Sequence, residues 1–164
     1  MRYYLPMSRI SLDSPLGKLT VEERDGAIVA LHWGDRAALA ASNGEAGPSQ
    51  LLVEAKRQLE DYFAGKRKDF DLPLAASGSD FEQRVWQRMC AIPYGQTMTY
   101  GEMSKAVTGG DPRAVGSACG SNPIPIIVPC HRVMAAGGTM GGYSGRGGLE
   151  TKSKLLALEG ALLL

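Results

Sequence analysis

A chain of 164 residues, 44% hydrophobic and 21% charged with a net charge of +1, has the composition of a folded globular protein and excludes a disordered or fibrous one. No apolar run approaches the ~20 residues of a membrane helix, and Met1-Arg2-Tyr3-Tyr4-Leu5-Pro6 lacks the apolar core of a secretory signal. The expectation is a cytoplasmic protein with no membrane partner, built as one ordinary domain or two small ones. Cys90, Cys119 and Cys130 are too few and too irregular for a disulfide framework, and with only His32 and His131 beside them no metal and no cofactor is expected. Charge is uneven: residues 1–80 carry 10 Lys+Arg against 12 Asp+Glu, residues 81–164 carry 8 against 5. Any polyanion is therefore steered toward the C-terminal half.

Ser8 to Leu12, Lys18 to Glu23 and Ala27 to Trp33 read as strands, with Asp25-Gly26 as a hairpin turn. Residues 34–48, rich in Ala, Gly and Ser, read as a loop. Ser49 to Ala64 has an apolar side of Leu52, Ala55, Leu59, Tyr62 and Phe63, followed by a C-cap glycine, Gly65. Lys66-Arg67-Lys68 reads as a solvated turn before it reads as a phosphate patch. Phe70 to Leu74 suggests an edge strand. Ala75-Ala76-Ser77-Gly78 reads as a linker, giving lobes at 1–78 and 79–164.

The second lobe opens on a capping box, Ser79 to Glu82. Phe81, Val85, Trp86, Met89 and Ile92 fall at helical spacing, and Trp86 and Cys90 read as core. Pro93-Tyr94-Gly95 is a turn. A short helix follows over Thr99 to Val107 with Thr99 as its cap, then a Gly109-Gly110 turn. A second helix starts at Asp111 (N-cap) and Pro112 (first helical position). Two short helices joined by such a turn suggest a helix-turn-helix. Gly116, Ser117, Ala118 and Gly120 leave one face of the second helix able to approach either a DNA groove or a neighbouring helix.

Ile124 to Val128 reads as a buried strand delivering Cys130 beside His131, with Pro123, Pro125 and Pro129 stiffening the approach. A thiolate, not a thiol, is the nucleophile, and a neighbouring base can supply one. A glycine-dense segment from Gly137 to Gly148 reads as a tightly turning wall beside that cysteine. It lacks the strand and helix context of a nucleotide P-loop. Leu149 to Glu159 reads as a last helix ended by Gly160. Glu159 is out of place there, because acids are disfavoured in a last turn.

Ile92-Pro93-Tyr94-Gly95, Thr99-Tyr100-Gly101, Arg113-Ala114-Val115-Gly116, Asn122-Pro123, Pro129-Cys130-His131-Arg132-Val133, Gly142-Tyr143-Ser144-Gly145 and Glu159-Gly160 occur together and in order. The set, spanning residues 79–160, resembles the methylated-DNA–protein-cysteine S-methyltransferase family, the O6-alkylguanine-DNA alkyltransferases. The resemblance implies an α+β fold. A small N-terminal β-sheet plus helix, ribonuclease H-like, would precede a mainly helical, winged-helix-like lobe with the helix-turn-helix. It implies direct, single-turnover DNA repair: the alkyl group of O6-alkylguanine, and of O4-alkylthymine, passes irreversibly to Cys130. The base would be flipped out by a helix-turn-helix in the minor groove.

The implied catalytic set is Cys130 as nucleophile, His131 as base through a water, Glu159 orienting His131, Tyr100 donating to the departing guanine, and Asn122 tying the recognition helix to the active-site segment. Arg113 would fill the gap left by the base, with Tyr100, Ala114, Gly116 and Ser117 also at the DNA. Val133, Tyr143 and Ser144 would line the base pocket. The implied partner is double-stranded DNA containing O6-alkylguanine, and the implied state a monomer that can cluster along DNA. The alternative is a non-catalytic protein that binds alkylated DNA lesions, against which Cys130, His131 and Glu159 all argue.

Overall fold

The computed structural model describes residues 7–36, 49–107, 110–143, 145 and 147–161. Chain contacts divide it into two compact units, Met1–Ala76 and Ser77–Leu164. The fold class is α+β: a small antiparallel sheet with one helix, then a mainly helical unit.

In the first unit β1 (Ser8–Leu12), β2 (Leu19–Arg24) and β3 (Ala27–Trp33) form a meander in the order β1-β2-β3. The hairpin between β2 and β3 pairs Arg24 with Ala27, and both turn residues are left-handed, Asp25 at φ 56° and Gly26 at φ 77°. Two positive φ values suit the right-handed twist of the flanking strands, which is why Asp-Gly marks such turns. Helix α1 (Gln50–Phe63) packs on β1 and β2, burying Leu52, Ala55, Leu59 and Tyr62. It starts at Ser49, whose hydroxyl accepts from Leu52 N, and ends in a Schellman motif. There Gly65 N reaches Tyr62 O and Lys66 N reaches Asp61 O. Most of the expected 34–48 loop lies outside the described residues.

The edge strand expected over Phe70 to Leu74 shrinks to one parallel bridge, Ile28 to Leu74. Pro73 has no N–H to extend a ladder. Gln58 of α1 also takes both backbone groups of Asp71, donating to its carbonyl at 3.1 Å and accepting from its N–H at 2.9 Å.

The second unit contains α2 (Asp80–Cys90), α3 (Tyr100–Ala106), α4 (Pro112–Gly120) and α5 (Leu149–Leu158), with β4 (Met98–Thr99) paired in parallel to β5 (Val133–Met134). Capping boxes start α2 (Ser79 with Glu82) and α3 (Thr99 with Glu102). Asp111 accepts from Ala114 N at the start of α4, with Pro112 in its first turn. The turn expected at Gly109-Gly110 falls partly outside the described residues. Helices α3 and α4 pack on each other and on α2.

Trp86 is core as expected, and its indole N–H donates to Ala118 O at 2.8 Å, fastening α4 to α2. Gly78 runs beneath the same ring, where a Cβ would come within 2.4 Å of the indole. Cys90 is exposed, contrary to the expectation of a core position. At about 100° per residue it falls off the arc shared by Val85, Trp86 and Met89.

The second correction concerns Ile124 to Val128. The segment is buried as expected, but no strand forms. Ile127 N bonds Pro125 O at 2.9 Å around Ile126 at φ 73°, a left-handed γ-turn. Cys130 N then bonds Val128 O at 2.8 Å around Pro129, whose φ −82° and ψ 67° make the mirror-image turn. Prolines at 123, 125 and 129 remove the donors a strand would need, so the chain closes bonds on itself.

Replacing Trp86 by Phe should remove the indole donor from Ala118 O, leaving it only the Ser121 hydroxyl at 3.2 Å, and open space beside α4. We expect a loss of about 2 kcal/mol by chemical denaturation. An unchanged midpoint and slope would mean that the indole bond does not hold α4.

Candidate active site

Cys130 opens a single 3-10 turn, Cys130–Arg132, directly after the γ-turn at Pro129. It is 7% exposed and lines a cavity of about 300 Å³ together with Tyr100 of α3, Gly116, Cys119 and Gly120 of α4, and Gly142 and Tyr143 of the glycine-rich segment. Burial raises the Cys130 thiol above its ordinary value. Hydrogen bonding from Asn122 and the charge of Lys152 act against that rise. Little thiolate is present at rest, so transfer chemistry here needs a base.

His131 supplies the geometry of one. The ring is fully buried and its Nε2 lies 2.8 Å from Glu159 Oε2. Burial lowers the imidazole below its ordinary value, overriding the raising effect of Glu159, so the ring is neutral at neutral pH. A carboxylate can only accept, so the single ring proton sits on Nε2 and the lone pair on Nδ1. Nδ1 is buried with no hydrogen-bond partner among the described residues. It is an available acceptor next to the thiol in sequence.

Glu159 is the C-cap of α5 rather than part of its last turn. Gly160 N bonds Ala157 O and Ala161 N bonds Leu156 O, a second Schellman motif with Gly160 at φ 75°. The carboxylate also receives Arg132, Nε to Oε1 at 2.8 Å and Nη2 to Oε2 at 3.0 Å. Arg132 donates its remaining arm to Ile92 O at 2.7 Å and lies 5.8 Å above the Tyr94 ring. Tyr94 in turn donates to Leu158 O at 3.1 Å, and Gly95 passes so close that an added Cβ would lie 3.1 Å from Glu159 O. The Ile92-Pro93-Tyr94-Gly95 turn is therefore the cradle of the Arg132–Glu159 pair.

Asn122 follows α4 and spans the γ-turns, donating to Val128 O at 2.9 Å and accepting from Ile124 N at 3.0 Å. Val128 O thus takes both Asn122 and the Cys130 N–H. Val133 is buried in β5, with its carbonyl accepting from Lys152 at 2.6 Å. Burial holds the Tyr100 and Tyr143 hydroxyls above their ordinary values, so both keep their protons. Ser144 lies outside the described residues.

Arg113 is exposed in the first turn of α4. At 3.6 residues per turn it shares a face with Gly116, Ser117 and Gly120, with Ala114 at its flank, while Val115 and Ala118 point to the core. A Cβ added at Gly116 or Gly120 meets nothing within 4 Å. Among the described residues no neighbouring helix lies against the face at these two glycines.

Three site residues escaped the sequence reading. Arg132 stands inside the Cys-His motif yet has no role assigned by it. Cys119 lines the cavity, its thiol pushed up to about 12 by burial and by the adjacent Cys130. Lys152 falls with Leu155, Leu156 and Glu159 at i, i+3, i+4 and i+7, a charge on the inward stripe of a helix, which is a readable signal. Among the described residues no group of His, Cys, Asp and Glu could hold a metal ion, and no helix is long and apolar enough to cross a membrane.

Two family models match the chain: the 6-O-methylguanine DNA methyltransferase ribonuclease-like domain over residues 7–76, and the DNA binding domain of the same enzymes over residues 80–161. The chain is 43% identical over 150 residues to the methylated-DNA–protein-cysteine methyltransferase of Mycolicibacterium paratuberculosis, covering 91% of this chain and 90% of that one. It is 40% identical over 167 residues to the constitutive enzyme of Bacillus subtilis, covering 97% and 96%. The crystal structure of the Mycobacterium tuberculosis O6-methylguanine methyltransferase superposes with a TM-score of 0.81 at 38% identity, covering 96% of this chain and 95% of that one. The Mycobacterium tuberculosis protein in complex with DNA gives 0.81 at 40% identity, covering 94% and 93%. With family models matched over residues 7–76 and 80–161 and relatives covered over nearly their whole length, the chain belongs to the methylated-DNA–protein-cysteine methyltransferase family.

Proposed function

We propose that this chain repairs DNA by transferring the alkyl group of O6-alkylguanine, and of O4-alkylthymine, to Sγ of Cys130. The observation that carries the reading is His131. It is buried and neutral, with Nε2 committed to Glu159 and the lone pair of Nδ1 left for a proton. In this reading Nδ1 takes the Cys130 proton through a bridging water. The sulfur attacks the alkyl carbon, the C–O bond breaks, and its electrons pass to the guanine. Tyr100, whose hydroxyl keeps its proton, donates to the ring as it leaves. The product thioether has no leaving group through which the thiolate could return. Each molecule therefore acts once.

A cavity of about 300 Å³ suits one extruded base, and chemistry on a base inside a stacked duplex requires extrusion. The open small-residue face of α4 borders that cavity and carries Arg113, which supports minor-groove docking with Arg113 filling the vacated stack. Asn122 couples α4 to Cys130; Val133, Tyr143 and Ser144 serve the base, and Ala114 and Ser117 the DNA. The partner in this reading is double-stranded DNA containing O6-alkylguanine. The protein works in the cytoplasm as a monomer able to cluster along DNA, without a cofactor. A non-catalytic lesion binder would have no use for a buried thiol beside a base held by its own carboxylate.

Incubation with a methylated duplex should add one methyl to the intact mass, at Cys130, and Cys130→Ala should gain nothing. An unchanged wild-type mass, or turnover beyond one equivalent, would refute the transfer.

Arg113→Ala should slow repair of the duplex by roughly 100-fold while reacting with free O6-alkylguanine at near the wild-type rate, since only the duplex needs a base extruded. Equal losses on the two substrates would remove the proposed role in flipping.

A further inference from the structure

One buried cation takes no part in the transfer chemistry described so far. Lys152 is fully buried on the inner side of α5. Its ammonium donates to Val133 O at 2.6 Å, to Met140 O, and to Gly142 O at 3.2 Å, and it lies 6.0 Å from the centre of the Tyr100 ring. Three carbonyls consume all three N–H donors; burial lowers the ammonium below its ordinary value, and the thiols of Cys119 and Cys130 act against that fall. No carboxylate within salt-bridge distance pairs with it among the described residues. Burying a lone ammonium is costly, and three neutral carbonyls compensate only part of the lost hydration. Its charge acts on the thiols of Cys119 and Cys130, favouring their ionised forms, and on the imidazole of His131, favouring its neutral form.

One of the three carbonyls lies at the start of residues 133–142 and two near its end, and this segment leads Gly142 and Tyr143 to the cavity. It contains Gly137, Gly138 and Gly141, all at positive φ, so its own backbone preferences do little to fix its path. Gly141 presses on the Tyr100 ring, where an added Cβ would lie 3.0 Å from the ring edge.

We propose that Lys152 is a positioning residue for the alkyl transfer: it clamps the glycine-rich wall of the cavity to α5 and supplies the fixed positive charge that favours the Cys130 thiolate. The inference rests on Cys130 being the acceptor. Other groups facing Cys130 do not duplicate that charge. Tyr100 from α3, Cys119 from α4 and Tyr143 from the wall are neutral acids, and Asn122 is a neutral donor. On the far side the charge of Arg132 is already matched by Glu159.

The test reads thiol ionisation without DNA. Alkylation by iodoacetamide is followed across pH and resolved at Cys130, Cys119 and Cys90 by peptide mass mapping, with Cys90, which is exposed, as the internal control. In Lys152→Met the Cys130 midpoint should rise by about one pH unit, which slows reaction roughly 10-fold below the midpoint, and Lys152→Arg should restore it. Amide exchange over residues 134–143 should quicken in the Met variant. An unmoved midpoint would overturn the electrostatic role, and unchanged exchange would overturn the clamp. Should the Met chain not fold, the Arg chain decides: its midpoint must stay at the wild-type value, and a raised one overturns the proposal. Failure of the wild type to take a methyl group from DNA would refute the repair reading and leave these midpoints interpretable.

Discussion

One carboxylate organises the site. Glu159 accepts His131 on one oxygen and two arms of Arg132 across both, all within the buried core of the second unit. Removing one member of such a buried arrangement typically costs ~3–5 kcal/mol, because a charge is left without its partner. The surrounding motifs follow from that constraint. Gly160 turns the chain left-handed so that α5 stops at Glu159. Ile92 O, the Tyr94 ring and the close pass of Gly95 receive the Arg132 guanidinium and the end of α5. Arg132 thereby holds Glu159 in place, and Glu159 fixes the tautomer of His131.

The second half of the logic is the link between the exposed helix and the thiol. Helix α4 offers Arg113 and an open row of small residues outward, and Val115 and Ala118 inward. Its C-terminal end runs into Asn122, whose amide holds Val128 O, the carbonyl that also receives Cys130 N–H. Ile126, β-branched and at φ 73°, occupies backbone space that such residues avoid. That strain is held by the buried packing of Ile124, Ile127 and Val128. The result is a stiff connection from the outer helix to the sulfur, made from turns where a strand would have left the thiol at the end of an extended segment.

Much of this was legible in the chain before folding. Ser49, Ser79, Thr99 and Asp111 announced helix starts because a short polar side chain there satisfies an otherwise orphan N–H. Gly65 and Gly160 announced helix ends for the opposite reason. The oddity of Glu159 was readable, since an acid at a helix C-terminus needs a compensating partner. The misreadings were of one type, in which tertiary context overrode local pattern. The apolar run 124–128 signalled burial correctly, but burial is shared by strands and by packed turns, and three prolines decided for turns. Cys90 reads as core beside Trp86 in the sequence, although its angle on α2 takes it off the buried arc. Arg132 and Lys152 were missed because long cationic side chains normally mean solvent, and only the fold reveals the carbonyls and carboxylate that take them inside.

The central claim is that Glu159 holds His131 as a neutral, Nε2-protonated base with Nδ1 free to accept. Nitrogen-15 NMR of the His131 ring in the folded, unalkylated protein reads this directly. The account predicts a neutral ring at neutral pH with its proton on Nε2, and loss of that fixed tautomer in Glu159→Gln. A doubly protonated ring, or a proton on Nδ1, would contradict it.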